Sequence, residues 1–290
     1  MTPHAIRGNT RVYIRTDTSN EPEELATVDR ILWLIDKRKK AVELKNNFYE
    51  RADKRFNLFC KKGGISVEHT DAFFGMSPLY PFEVLVDYRR LEKEIAEQIR
   101  VTGWRSTFPM NLYYSRFEPT QNGVYSFFLN ETKDYFSYEE LNHCGFFYHR
   151  EELYHEREIT GILIKNSLLW DILTKLDLFM ESMSKFYGIL GYWGVLELRI
   201  HLGKLSEVVF RDLPTPQGYM RFDTITATSI DNVLEFSKTI TVMELKNHRE
   251  QLVVDLLREI SWAIGFSHIK AENIIKLMEE NNRPSKTHDS

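Results

Sequence analysis

From Leu168 to Leu190, apolar residues fall at Leu169, Ile172, Leu173, Leu176, Phe179, Met180, Met183, Phe186 and Tyr187. Steps of three and four place them all on one side of an α-helix. An apolar face this broad has to be buried under another layer, which commits the chain to a packed core around it. Gly188 or Gly191 can end the helix, because glycine takes the left-handed backbone that closes one. Gly194 to Leu202 then alternates apolar with polar residues, the pattern of a strand with one buried face. Helix and strand are predicted to share one core.

Helix and strand signals alternate elsewhere too. Tyr88 to Val101 carries Leu91, Ile95 and Ile99 four apart and reads as a helix, as do Gln251 to Ile264 and Ala271 to Asn281. Strands are expected at Met110–Phe117, Gly123–Leu129 and Gly145–His149, then at Glu207–Arg211, Tyr219–Thr226 and Thr239–Leu245, with a short one at Ile65–Val67. Ser77-Pro78-Leu79-Tyr80-Pro81 cannot be helix interior, since proline lacks the N–H and pushes its predecessor into an extended conformation. The expected fold class is α+β, a mixed or antiparallel sheet packed with long helices. Residues 1–40 are read as the remnant of one domain, 41–104 as a helical connector, 105–281 as an α+β domain and 282–290 as a disordered tail.

The chain has 290 residues, 42% of them hydrophobic, enough for one large or two ordinary domains. A net charge of −4 and a pI near 6.2 create no overall field to attract a polyanion, so any nucleic-acid surface must be a local patch. Cys60 and Cys144 lie far apart without partners at metal-ligand spacing, which argues against a disulfide framework and points to the reducing cytoplasm. The first residues lack the apolar core of a signal peptide, and no apolar run reaches the ~18 residues of a membrane span. A soluble, cytoplasmic protein without membrane contact is expected.

Val12-Tyr13-Ile14-Arg15 is a β-branched and aromatic run, followed by small polar residues and by Asn20-Glu21-Pro22-Glu23-Glu24, whose residue types suit a helix start. Leu25, Val28, Ile31, Leu32 and Ile35 recur at helical spacing, Lys37-Arg38-Lys39-Lys40 follow, and Lys62-Gly63-Gly64 breaks the pattern. The stretch Arg11 to Lys40 resembles the last strand and following helix of the Schlafen-type, AlbA-like DNA-binding domain of bacterial regulators. That domain ends in a Tyr-Val/Ile-Arg strand, a small-residue turn, a Pro-Glu-Glu helix start and a basic helix end. Tyr13, Ile14, Arg15, Pro22, Glu23, Glu24 and Lys37 to Lys40 stand at those positions, and Asp17 stands where the family often has glycine. Ser184 to Leu205 is similar to the long helix, glycine turn and amphipathic strand in the C-terminal regions of such proteins. The family's opening Glu…Glu-Phe-Lys motif and glycine-rich loop have no counterpart, so the resemblance implies the C-terminal part of such a protein. It implies DNA as partner, with phosphate contacts from Arg11, Arg15, Lys37, Arg38, Lys39 and Lys40. It also implies that Val12–Arg15 is an under-paired strand, open to a neighbour.

Four adjacent cations, Lys37 to Lys40, can meet phosphates from several directions, although Glu43 and Glu50 also allow the reading of a solvated helix face. Arg11 and Arg15 share one face of their strand. His143, Cys144, His149, Glu152 and His155 have metal-ligand chemistry. Their spacing puts no two ligands on adjacent helical turns, and on a strand His143 and His149 would sit ~20 Å apart. Surface and edge-strand histidines without a metal are expected. Gly188-x-x-Gly191-x-x-Gly194 lacks a Lys-Ser/Thr and precedes a strand, so it is read as a helix end and turn, with Tyr192 and Trp193 packed on the neighbouring helix.

The pairs Glu139-Glu140 and Glu151-Glu152 point to opposite faces, and nothing in the sequence supplies the burial that would tune one for acid–base chemistry. No Gly-x-Ser-x-Gly elbow and no Cys–His pair is evident, so neither enzymatic activity nor a cofactor is expected. The function expected is that of a non-catalytic nucleic-acid-associated protein, the regulatory or oligomerisation portion of a Schlafen/AlbA-like protein. The alternative is a protein–protein interaction module without nucleic-acid contact, binding a second copy or another chain through its long helices.

Overall fold

The computed structural model describes residues 4–5, 12–14, 23–24, 28–65, 71–81, 83–103, 107–109, 117–131, 135–153, 155–159, 162–213 and 226–281. Near the start, β1 (His4–Ala5), β2 (Val12–Ile14) and β3 (Glu23–Glu24) form a small antiparallel sheet with β2 in the middle. Tyr13 pairs with His4 on one side and Glu24 on the other. This corrects two expectations. The Val12 strand is paired on both edges rather than open, and Glu23-Glu24 belongs to a strand rather than to a first helical turn. The physical reason is backbone satisfaction: β2 needs a partner on its second edge, and Glu23–Glu24 supply it.

α1 (Val28–Gly63) then runs unbroken through the basic cluster. At 1.5 Å per residue its 36 residues span about 54 Å. The stretch expected as a connector also supplies β4 (Asp71–Pro78), which leads to a short helical segment made of α2 (Tyr88–Arg90), a π turn (Leu91–Ile95) and α3 (Ala96–Gln98). Next come β5 (Val101–Thr102), β6 (Thr107–Phe108), β7 (Glu118–Pro119), β8 (Gly123–Leu129), β9 (Phe136–Asn142) and β10 (Phe147–Glu152). After them follow β11 (His155–Ile159), β12 (Ile162–Leu168), α4 (Leu169–Leu190), β13 (Val195–Gly203), β14 (Val208–Arg211), β15 (Thr226–Ala227) and β16 (Val233–Thr241). The chain closes with α5 (Val242–Asn247), α6 (Arg249–Ile264) and α7 (Ala271–Asn281).

The fold is α+β. Seven strands pair antiparallel in the order β16-β13-β4-β10-β9-β8-β7. β4, buried along most of its length, lies inside the sheet between β13 and β10. A second sheet, β11-β12-β14-β15, contains a parallel pair between β12 and β14 and feeds straight into α4. The alternation read in the 194–202 stretch holds. Leu196, Leu198, Ile200 and Leu202 are buried in one cluster with Leu173, Phe179, Met183, Leu256 and Ile260, so α4 and α6 share a core with β13. Phe48, Tyr49, Ala52, Phe56 and Cys60 of α1 form a separate cluster with Phe136, Tyr138, Phe146 and Tyr148. The sheet is thus covered on both faces.

α4 ends at Gly191 with φ 64°, its N–H donating back to Tyr187 and Gly188, as the glycine pattern predicts. The strand expected at Thr239–Leu245 is corrected at its second half: β16 stops at Thr241, and α5 begins there. Thr241 Oγ1 accepts from the Glu244 N–H at 3.1 Å while the Glu244 carboxylate accepts from the Thr241 N–H at 2.6 Å, a reciprocal cap that favours helix over continued strand. Ile65 lies outside any strand, and residues 66–67 lie outside the described residues, as do most of Met110–Phe117, most of Tyr219–Thr226 and the 282–290 tail.

Candidate functional site

Helix α1 carries eleven lysines and arginines against five aspartates and glutamates, +6 in a chain whose net charge is −4. Positive charge is therefore concentrated on one element while the remainder is acidic. Between the buried residues Leu34 and Ala41, six consecutive residues, Ile35 to Lys40, are exposed. Six residues make about one and two-thirds helical turns, so this section is bare on every side. It includes Lys37, Arg38, Lys39 and Lys40.

Two of the cations rest on aromatic rings. The Lys37 ammonium lies 5.4 Å from the Trp33 ring centre, and the Arg38 guanidinium 5.1 Å from that of Tyr80, just beyond β4. Lys40 pairs with Asp36 at 2.8 Å, and that hydrogen bond raises its pKa. Lys39 makes no ion pair with a described residue. Trp33, Leu32 and Ile35 are exposed by 57%, 56% and 43%, so the bare section has apolar as well as cationic character. Arg11 and Arg15 lie outside the described residues.

The histidine-containing stretch is organised differently from its sequence reading. His149 is buried in β10, not at a surface or sheet edge. Its Nδ1 lies 3.1 Å from Glu139 on β9, the residue directly across the strand pair, and its Nε2 lies 3.4 Å from Glu151. Lys175 of α4 reaches Glu151 at 2.9 Å, and the Tyr135 hydroxyl donates to the same carboxylate at 2.9 Å. Phe108 meets the imidazole edge-on at 4.7 Å. Burial alone would push the imidazole down, but the Glu151 and Glu139 carboxylates raise it to about 9. Burial would likewise raise Glu151, but Lys175 and His149 hold it at about 2. The two carboxylates therefore face two cations.

The acid pairs do diverge to opposite faces, as strand geometry requires, but the expectation that nothing buries them is corrected. Glu139, Glu140, Glu151 and Glu152 are all buried. Glu140 points toward α1, where both its oxygens meet the Arg55 guanidinium and the Tyr138 hydroxyl donates at 2.8 Å. The cause of the burial is tertiary. Arg55 and Lys175 arrive from α1 and α4 on opposite sides of the sheet and neutralise carboxylates that a lone strand could not bury. With Glu139, Glu140 and Glu151 engaged by His149, Arg55 and Lys175, the layer is an ionic tie between strands and helices.

The other singled-out residues are dispersed. His143 sits in the β9–β10 turn, where burial lowers its pKa, and Cys144 is buried beside it, its thiol pushed up to about 11. Among the described residues no group of three or more His, Cys, Asp or Glu is arranged to hold a metal. Tyr192 packs 5.9 Å from Tyr187 of α4, as expected. Trp193 does not pack on the helix: it is exposed, with Lys246 of α5 over its ring at 5.4 Å. A cavity of about 560 Å³ lies where α4, the α5–α6 junction and α7 meet, lined by Lys185, Lys246, His248 and Arg249 together with Glu181 and Glu250. Arg249 is held there by Glu181 and Asp177, so its charge is internally compensated. No sequence signal marked these residues, because their grouping depends on three helices meeting.

The chain matches no family model, no curated protein and no solved structure. No described helix is long and apolar enough to cross a membrane.

Proposed function

We propose that the chain is a non-catalytic nucleic-acid-associated protein that contacts phosphates through the bare section of α1, Ile35 to Lys40, with exposed Trp33 just before it. The observation that carries this reading is the run of six exposed residues containing four consecutive cations on a helix of net +6. Cations at successive 100° steps around a bare helix face several directions, so they can meet phosphates lying on more than one side. The acidic balance of the rest of the chain confines such contact to this element. The AlbA-like resemblance of residues 11–40 supports the same reading, and with it a regulatory or oligomerisation role in a larger assembly.

The test replaces Lys37, Arg38, Lys39 and Lys40 together by glutamine and titrates labelled nucleic acid by fluorescence anisotropy across a salt series. Each lost phosphate contact should lower the slope of log affinity against log salt by about 0.7–0.9. An unchanged affinity and slope would overturn the reading. The exposed Leu32, Trp33 and Ile35 favour a second reading, a protein-interaction module, which gains ground on that result.

A further inference from the structure

We infer that the nucleic acid taken by the bare section of α1 is single-stranded, with Trp33 as the platform on which a base stacks; this rests on the phosphate-binding reading above. Trp33, Lys37 and Lys40 are spaced i, i+4 and i+7 and so share one face of the helix. That face places one large aromatic ring and two ammonium groups within about 10 Å along the axis. Lys39 and Arg38 lie to its sides. A base presents its flat face to a protein ring only when it is not stacked between neighbours. A duplex keeps its base faces covered, whereas a single strand offers one at every nucleotide. The structure holds a ring of the right chemistry, 57% exposed, one helical turn before the run of four cations.

The contacts on this face are made between exposed groups. Lys37 sits over the Trp33 ring at 5.4 Å, and Lys40 pairs with Asp36 while both remain mostly in water. Exposed contacts of these kinds contribute little, so a base and its flanking phosphates can displace them: the base takes the ring, and the ammonium groups turn to the phosphates. Trp33 also explains the apolar exposure that pure phosphate contact leaves unexplained. A duplex-binding patch needs the cations and has no use for the indole.

The experiment compares binding of the full chain to labelled oligo-dT of about 15 nucleotides and to a duplex of equal length, using wild type, Trp33→Ala, Trp33→Phe and the fourfold glutamine variant. Wild type is expected to prefer the single strand. Trp33→Ala should weaken single-strand binding about tenfold while leaving duplex binding within about twofold, and Trp33→Phe should keep most of the affinity. The exposed position of Trp33 means that none of these changes removes a core contact. If wild type prefers the duplex, or Trp33→Ala weakens both ligands alike or neither, the stacking inference is wrong even where the fourfold variant still loses binding. If the fourfold variant loses nothing, the phosphate-binding reading itself fails. Tighter binding of wild type to phosphatidylserine vesicles than to oligo-dT would assign the same patch to a membrane surface and overturn the inference.

Discussion

Glu151→Gln tests the buried charge layer between β9, β10 and α4. The side chain keeps its size, so no cavity forms, and Tyr135 can still donate to the amide oxygen. What is lost is the negative charge between His149 and Lys175, 3.4 and 2.9 Å away. Glu151 falls from its ordinary 4.5 to about 2 in the folded protein. At 1.36 kcal/mol per pKa unit that drop corresponds to about 3 kcal/mol of native-state stabilisation of the charged form. His149 rises from 6.5 to about 9, a gain of similar size, but the two values share the His149–Glu151 attraction and do not add. The expected loss on substitution is therefore about 3 kcal/mol near pH 6.

The sign of the pH dependence follows from the two directions. Glu151 is depressed, so its contribution is present above about 4.5 and is lost as pH falls toward about 2. His149 is raised, so its contribution is present below about 6.5 and is lost as pH rises through about 9. Wild type minus variant should then be largest between pH 4.5 and 6.5 and shrink on both sides. Urea unfolding of both proteins at intervals from about pH 3 to 10 measures it directly. A difference below about 1 kcal/mol at pH 6, or one that stays flat across the range, would show that the layer contributes no charge-dependent stability.

Leu173→Asp places an unpaired carboxylate at a position 2% exposed in the shared core of α4 and β13, and should cost about 4 kcal/mol or more. An unchanged melting temperature would refute that core. At the start of β8, a methyl added to Gly123 would stand 1.9 Å from the Leu141 carbonyl oxygen and 2.6 Å from the Asn142 Cα, both backbone atoms of β9. Gly123→Ala is expected to cost about 2 kcal/mol and to speed amide exchange along the β8–β9 pair, and stability within about 0.5 kcal/mol of wild type would contradict the register.

Elements whose signal is local were legible in the sequence, and those whose logic is tertiary were not. α4, β8, β13 and α7 follow from apolar period and glycine placement alone. β4 escaped notice because a strand covered on both faces shows no alternation, and it holds Gly75 and Pro78, which strand interiors disfavour. β9 escaped because Ser137, Glu139, Glu140 and Asn142 look like surface residues until Arg55 is brought to Glu140 from far along the chain and His149 faces Glu139 across the strand pair. For the same reason His149 looked like a surface group. The cationic run was visible, and so was its helix. Invisible were the bareness of its helix section and the placement of Tyr80 under Arg38, which depend on where the sheet ends beneath α1.

The placement of the ion pairs along α1 bears on how the cationic section is presented. Between Lys45 and Arg55 three side chains tie the helix to the sheet and its margin. Lys45 meets Glu197 at 3.0 Å and the Leu79 carbonyl at 3.4 Å, Asp53 accepts from the Tyr148 hydroxyl at 2.5 Å and pairs with Arg150 at 3.2 Å, and Arg55 grips Glu140. Between these ties Phe48, Tyr49, Ala52, Phe56 and Cys60 bury the intervening face. Toward the amino end Leu34 and Ala41 are the buried residues that flank the cations, and Arg38 rests on the Tyr80 ring. A continuous helix anchored so firmly over its later turns sets the direction of its earlier ones, because an uninterrupted backbone hydrogen-bond ladder bends little over the roughly three turns from Lys45 back to Trp33. The cations and Trp33 are thus presented on a stiff rod, a geometry that lowers the ordering cost of capturing a flexible strand.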